Sequence, residues 1–319
     1  MGKMVNGEWV DDDYQSDEDG AFQREETTFR DWIRADGTTE FQPEPGRYHL
    51  YISRACPWAH RTTIMRRLKG LTDAISMSIV DPYMGEDGWF FSNEEGCTPD
   101  TIHGKNYLLE VYREADPAYT GRVTVPVLWD RQRDTIVNNE SAEIMRMFDV
   151  EFEGITEGSH SYYPPKLQDQ IDSTIEEIFQ PINNGVYRCG FAETQQAYNQ
   201  AVSDLFEALN HWEHILDDQR YLCGSEITEA DWCMFTTLWR FDAVYHTHFK
   251  CNIRRIIDYP NLWNYLKELY QYEEVSLTCN MKHTKRHYYT SHESVNPKQI
   301  IPMGPEVNFE EPHDRDRLN

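Results

Sequence analysis

Cys56 followed by Pro57, set between a short apolar strand and a helix, constrains this chain more than any other feature. Tyr48–Ile52 reads as an aromatic and aliphatic strand. Residues 57–69 read as a helix with Pro57 at its first position, where a missing N–H costs nothing. Cys56 then stands at the helix N-cap, facing backbone N–H groups and the positive end of the macrodipole. That setting favours the thiolate, which is the nucleophilic form. Most cysteines simply pack as small hydrophobes, but the strand–Cys–Pro–helix order points to chemistry here. Position 59 is Ala59, so no resolving thiol follows one turn later. The chemistry implied is monothiol: attack on sulfur, a mixed disulfide, and release by an external thiol.

Around this motif, residues 46–150 read as strand, helix, strand, long insertion, strand, strand, helix. The insertion, 81–122, carries Gly88-Trp89-Phe90-Phe91 and a helix around 105–115; a loop that long inside a domain is usually functional or disordered, and its aromatic residues argue for the former. Arg122 to Asp130 leads into a strand interrupted by Pro126, where a cis bond would present the Val125 backbone to a ligand. After a short strand at Ile136-Val137, Glu140 and Ser141 introduce a helix over 142–148, a place suited to a ligand carboxylate. Ser141 can equally cap that helix. Residues 1–45 read as an extension that wraps a domain, anchored by Trp9, Phe22, Phe29, Trp32 and Ile33; 29–33 allow a short helical turn, but surface packing on the neighbouring domain is the reading held.

A linker over 153–165 leads to an all-helical half, 166–295. Apolar stripes mark helices over 167–182 and 193–216. Thr228 and Asp231 form a capping box for a third helix, and Tyr259-Pro260 opens another over 262–270. The tail, 296–319, should be irregular.

The chain has 319 residues, enough for two domains, and a formal charge of −25 from 55 acidic and 30 basic residues. Only nine of the basic residues are lysine. So acidic a surface repels nucleic acid and anionic membranes, and its lysine-poor composition suggests a halophilic habitat where salt screens self-repulsion. Acids fill the N-terminal stretch where a signal peptide would be apolar, and no window approaches a membrane span. A cytoplasmic location with reduced thiols is expected for the seven cysteines.

These stretches resemble one family in detail. Cys56 to Arg61, Gly88-Trp89, Tyr119 to Asp130, Val137 to Ser141, Ile182 to Tyr187, Arg240 to Tyr245, His248 to Asn252, Asp258 to Trp263, His287-Tyr288-Tyr289 and Asn296-Pro297 are similar to the Xi-class glutathione transferases, the glutathionyl-hydroquinone reductases. The resemblance covers about residues 40–305. It implies an α/β plus all-α fold: a thioredoxin-like N-terminal domain followed by an all-helical glutathione-transferase domain. It implies that Cys56 takes a thiol substituent from a hydroquinone, with no bound cofactor and with glutathione or γ-glutamylcysteine as co-substrate. Trp89 and Arg122 would lie near the glycine end of the thiol, the Val125 backbone at its cysteinyl part, and Glu140 with Ser141 at the γ-glutamyl end. Tyr187 and Tyr288 would line the acceptor pocket, where a phenol O–H eases departure of the hydroquinone. A homodimer is implied as well.

His246, His248 and Cys251, and the pair His283 and His287, have the spacing of metal ligands but lack a convergent set of four, so no metal is expected. Cys97, Cys189, Cys223, Cys233, Cys251 and Cys279 read as core or surface thiols. Two other functions stay open: conjugation of a thiol to an electrophile, which usually uses Tyr or Ser and not Cys, and a non-catalytic interaction module, which would have no use for a nucleophile and its ligand clamp together.

Overall fold

The computed structural model describes residues 2–12, 15–155 and 160–318; positions 156–159 of the expected linker, 1, 13 and 14 of the extension, and the last residue of the tail lie outside them. The chain forms two units, one of Met1–Tyr14 with Arg24–His160 and one of Gln15–Gln23 with Ser161–Asn319.

The first unit opens with a hairpin, β1 (Gly2–Val5) antiparallel to β2 (Glu8–Asp11). Its centre is a four-stranded sheet in the order β4-β3-β5-β6, built from β3 (Tyr48–Ile52), β4 (Ser76–Ile79), β5 (Val127–Asp130) and β6 (Thr135–Asn138). β3 runs parallel to β4 and antiparallel to β5, and β5 pairs antiparallel with β6. The β3–β4 crossover is α1 (Pro57–Leu68); α2 (Leu108–Ala115) lies in the long insertion and α3 (Ser141–Val150) follows β6. The order of elements is the one read from the sequence, and the fold is the thioredoxin-like one that the resemblance implied. Every residue of β3 is buried, as a strand between two others requires. Its one imidazole, His49, bonds Ser76 Oγ at 2.7 Å and Ser78 Oγ at 3.0 Å on β4.

α1 and α3 are joined at their C-terminal ends by a buried ion pair. Lys69, the C-cap of α1, sets its Nζ 2.9 Å from Asp149 Oδ1, and both side chains are fully buried. The ammonium also donates to the His160 carbonyl at 2.9 Å.

Residues 29–33 do not form the helical turn that their sequence allows. That stretch is extended along the outer edge of β6: Arg30 bridges Asn138, the Asp31 N–H donates to Val137 O, and the Asn139 N–H donates to Phe29 O, both at 3.0 Å. An open sheet edge offers backbone partners at every second residue, which five residues cannot supply to themselves as a lone helical turn.

The second unit contains α4 (Gln168–Ile178), α5 (Gly185–Gly190), α6 (Gln195–Asp218), α7 (Glu229–Arg240), α8 (His246–His248), α9 (Pro260–Gln271) and α10 (Met281–Ser291), the all-helical half expected. Two π-helical turns interrupt it, Phe179–Asn183 before α5 and Phe241–Tyr245 after α7. The capping box of α7 forms as read: Asp231 Oδ2 accepts from the Thr228 N–H at 2.7 Å and from its hydroxyl at 2.9 Å. Asp231 Oδ1 accepts from Tyr265 Oη at 2.7 Å, which ties the start of α7 to α9. The Phe22 part of the extension packs in this unit, its ring 5.5 Å from that of Phe191. No described helix is long and apolar enough to cross a membrane.

Candidate active site

Cys56 is the N-cap of α1, with φ −73° and ψ 124°, and Pro57 fills the first helical position. Its carbonyl accepts the first helical bond, from the His60 N–H at 3.0 Å, so the side chain is held at the helix mouth and half-buried. No acid stands in the first turn of α1. Instead two guanidiniums lie on the neighbouring indole: Arg24 and Arg61 place Cζ 4.8 and 4.6 Å from the centre of the Trp58 ring. Together with the helix N-terminus, these cations make this end of α1 positive. None of the seven cysteines is in a disulfide. Burial pushes the Cys279 thiol up to about 12 and also raises Cys223 and Cys251, so these are poor nucleophiles at neutral pH.

The Cys56 thiol donates to the Val125 carbonyl at 3.5 Å. The Val125–Pro126 peptide is cis and β5 begins at the next residue, so the proline sits just outside the ladder it cannot join. Glu140 is the N-cap of α3, its Oε1 accepting from the Ala142 N–H at 3.4 Å and from Ser141 Oγ at 3.5 Å. The cap is therefore Glu140 and not Ser141, whose buried hydroxyl leans on the Glu140 carboxylate. Trp89 is buried in the insertion, where its carbonyl accepts from the Leu108 N–H at the start of α2. Arg122 is engaged by the extension: Nε donates to Glu25 Oε1 at 2.9 Å, and Nη1 and Nη2 donate to the carbonyl and carboxylate of Asp12 at 2.5 and 3.3 Å.

In the second unit Tyr187 on α5 and Tyr288 on α10 meet oxygen to oxygen at 2.6 Å, and Tyr245 reaches the same Tyr288 oxygen at 3.1 Å. Burial, then the neighbouring phenols, hold the Tyr288 hydroxyl well above its ordinary pKa, so it stays protonated. Three phenol protons serve two phenol–phenol links, which leaves one proton over for an acceptor beyond the trio.

Two family descriptions match the chain: glutathione S-transferase, N-terminal domain, over residues 55–151, and glutathione S-transferase, C-terminal domain, over 195–268. YqjG of Escherichia coli, a glutathionyl-hydroquinone reductase, is 49% identical over 324 residues, 99% of each chain. A Xi-class transferase from Natrialba magadii superposes with a TM-score of 0.94 at 55% identity, covering 100% of this chain and 97% of that one. The chain belongs to the Xi class of glutathione transferases. The structure of YqjG with glutathione bound also superposes, with a TM-score of 0.91 at 47% identity over 99% of both chains.

For a Xi-class enzyme the sequence singled out eight residues, and the structure pairs six of them, Cys56 with Val125, Glu140 with Ser141 and Tyr187 with Tyr288, whereas Trp89 meets Leu108 and Arg122 meets Glu25 and Asp12. Tyr245 was missed as the third phenol, although it closes one of the stretches that carry the resemblance. It also ends a π-helical turn, a feature common at functional sites. Missed too was the extension's role. Arg24 lies on Trp58, Glu25 on Arg122, and the Thr27 hydroxyl donates to Glu140 Oε2 at 3.2 Å. Nothing in the composition of 24–27 signals this, because an Arg-Glu-Glu-Thr stretch reads as solvated surface.

Proposed function

We propose that this enzyme is a thiol-dependent reductase that removes a glutathionyl or γ-glutamylcysteinyl group from hydroquinones through a Cys56 mixed disulfide. The observation that carries the reading is Cys56 at the N-cap of α1 with its sulfur against the Val125 backbone. In the first step the Cys56 thiolate attacks the substituent's sulfur and the carbon–sulfur bond breaks. The ring carbon keeps the bonding pair and takes up a proton, giving free hydroquinone. In the second, an external thiolate attacks the mixed disulfide, regenerates the Cys56 thiolate and leaves as a disulfide. Two thiols supply the two electrons that reduce the ring.

Within that scheme Glu140 and Ser141 hold the γ-glutamyl end, the Val125 backbone pairs with the cysteinyl part, and Trp89 and Arg122 lie toward the glycine end. Tyr187 and Tyr288 hydrogen-bond the hydroquinone oxygens as the ring departs. A cytoplasmic homodimer in a salt-rich cell is the setting we infer, and there γ-glutamylcysteine is a plausible natural thiol.

The test is release of hydroquinone from its glutathionyl conjugate with excess glutathione or γ-glutamylcysteine, by the natural chain and by Cys56→Ala. Release by the natural chain and none by the variant is expected. Equal rates would sink the mixed disulfide, and conjugation of an electrophile without release would favour an ordinary transferase. Inertness of both chains would leave a transferase-like interaction module.

A further inference from the structure

We propose that Phe249 positions the phenol trio for release of the hydroquinone, with Gly190 as the gap in α5 that lets its ring reach them. The inference rests on reading Tyr187 and Tyr288 as the phenols that meet the departing ring. Phe249 is fully buried at the C-cap of α8, and its side chain has no polar atom. Any effect it has on the chemistry must therefore pass through its neighbours. All three phenol rings touch it, with centroids 5.5 Å away for Tyr187 and 5.7 Å for both Tyr245 and Tyr288. It lies nearly parallel to Tyr245, at 14°, and edge-on to Tyr288, at 80°, both favourable aromatic arrangements. Tyr187 leans on it most. The Tyr187 ring is 6.0 Å from Tyr245 and 6.5 Å from Tyr288, farther than from Phe249, although its oxygen meets that of Tyr288 at 2.6 Å.

Backbone and packing fix that ring from two sides. The Phe249 and Cys251 N–H groups both donate to the Tyr245 carbonyl, at 3.2 and 3.0 Å, around Lys250 at φ +59°. Tyr198 Oη donates to the Lys250 carbonyl at 2.7 Å and braces the same turn. Phe249 and Tyr245 are thus placed by one stretch of backbone. On the other side stands α5, where a Cβ on Gly190 would come 2.2 Å from Cδ1 and 2.3 Å from Cγ of the Phe249 ring. Any side chain at 190 would drive the ring off α5, the helix that carries Tyr187 three residues earlier. Phe191 at 5.1 Å and His292 at 5.8 Å complete the aromatic shell. A shift of about 1 Å in a group that orients a reaction can cost about 10²-fold in rate. Moving Tyr187 by that much would carry its oxygen beyond the usual O–H···O range of about 2.5–3.0 Å.

A double-mutant cycle tests this. Release of hydroquinone from its glutathionyl conjugate is followed in single turnover for the full chain, Phe249→Leu, Gly190→Ala, Tyr288→Phe, and Phe249→Leu combined with Tyr288→Phe. Alkylation of Cys56 by iodoacetamide, read by mass spectrometry, reports on the nucleophile alone. Phe249→Leu should slow release roughly 10- to 100-fold and leave Cys56 alkylation within about twofold. On the Tyr288→Phe background the same substitution should cost less than about twofold more, because the donor it positions is already gone. Gly190→Ala displaces the same ring from the α5 side and should slow release likewise; it carries the test if Phe249→Leu does not fold. A full loss on top of Tyr288→Phe would mean that Phe249 only packs the helical unit, and would overturn the positioning role. Unimpaired release by both Phe249→Leu and Gly190→Ala would overturn it as well. So would alkylation of Cys56 that slows in step with release, which would place the damage outside the trio. No release by the natural chain would overturn the reductase reading itself, and the positioning with it.

Discussion

At the residue scale the phenol trio bears on the proposed release of hydroquinone. Tyr288 is buried, accepts or donates at 2.6 Å to Tyr187 and at 3.1 Å to Tyr245, and is kept neutral by its surroundings. A neutral phenol donates a hydrogen bond to developing oxygen charge and gains strength from the chain of hydroxyls behind it. Removing the central hydroxyl in Tyr288→Phe should lower hydroquinone release roughly 10²-fold, the usual cost of losing one such donor. Tyr245→Phe, which removes the hydroxyl bonded to Tyr288 and keeps the ring against Tyr187, should cost roughly tenfold or less, since the lost hydrogen bond is worth about 1 kcal/mol. Single-turnover release with each variant measures both. Because burial raises the Tyr288 pKa, the rate should show no loss from phenol ionisation up to about pH 10. A descending limb near pH 9 that vanishes in Tyr288→Phe would contradict that assignment.

At the scale of elements, α1 and α3 start at Cys56 and Glu140, the proposed nucleophile and γ-glutamyl clamp, and share the Lys69–Asp149 pair near their C-termini. Breaking a fully buried pair leaves one charge without its partner, at a cost of about 3–5 kcal/mol, whereas replacing both groups by apolar ones is often neutral. Asp149→Leu should therefore lower the urea midpoint sharply, and Lys69→Met with Asp149→Leu should recover most of the loss. Unfolding curves for the single and double variants decide it; equal losses would mean that packing around Asp149, and not charge, sets the cost. Much of this level was legible in the sequence, for a physical reason. Helix ends are written in local chemistry, and Cys56-Pro57, the Thr228–Asp231 box and Tyr259-Pro260 each start a helix where read. The order of elements along residues 46–150 was read from the sequence too, whereas the strand order in the sheet came only with the structure. What stayed hidden depends on long-range pairing: the 29–33 stretch on the edge of β6, the Lys69–Asp149 pair across 80 positions, and Glu25 on Arg122 across 97. Local pattern carries no trace of a partner that distant. The Glu140 cap was a near miss of one residue, since Glu is an uncommon cap and Ser141 beside it a common one.

For the molecule as a whole, two electrostatic trends oppose each other as pH falls. Protonating acids relieves the self-repulsion of a chain with 55 acidic and 30 basic residues. Three histidines act the other way. Burial lowers His49 and His248 to about 4 and puts His292 well below its ordinary value, so all three are neutral when folded. Once unfolded they bind protons near pH 6.5. Between about pH 6.5 and 4 the unfolded chain thus holds more protons than the folded one, so their contribution is full above that window and is lost as pH falls through it. The loss is about 1 kcal/mol per pH unit for each histidine. Asp231 and Asp242, whose carboxyls burial raises, pull the other way, so the sum alone does not isolate the imidazoles. Working in 1 M salt, where the screening length is about 3 Å, removes most of the surface repulsion. Comparing the natural chain with His49→Gln then cancels the aspartates. The variant should show a shallower fall in unfolding free energy from pH 6.5 to 4, by about one proton's worth of slope. Parallel curves would mean that His49 is already protonated between Ser76 and Ser78, and that the acid sensitivity lies with His248 and His292 in the helical unit.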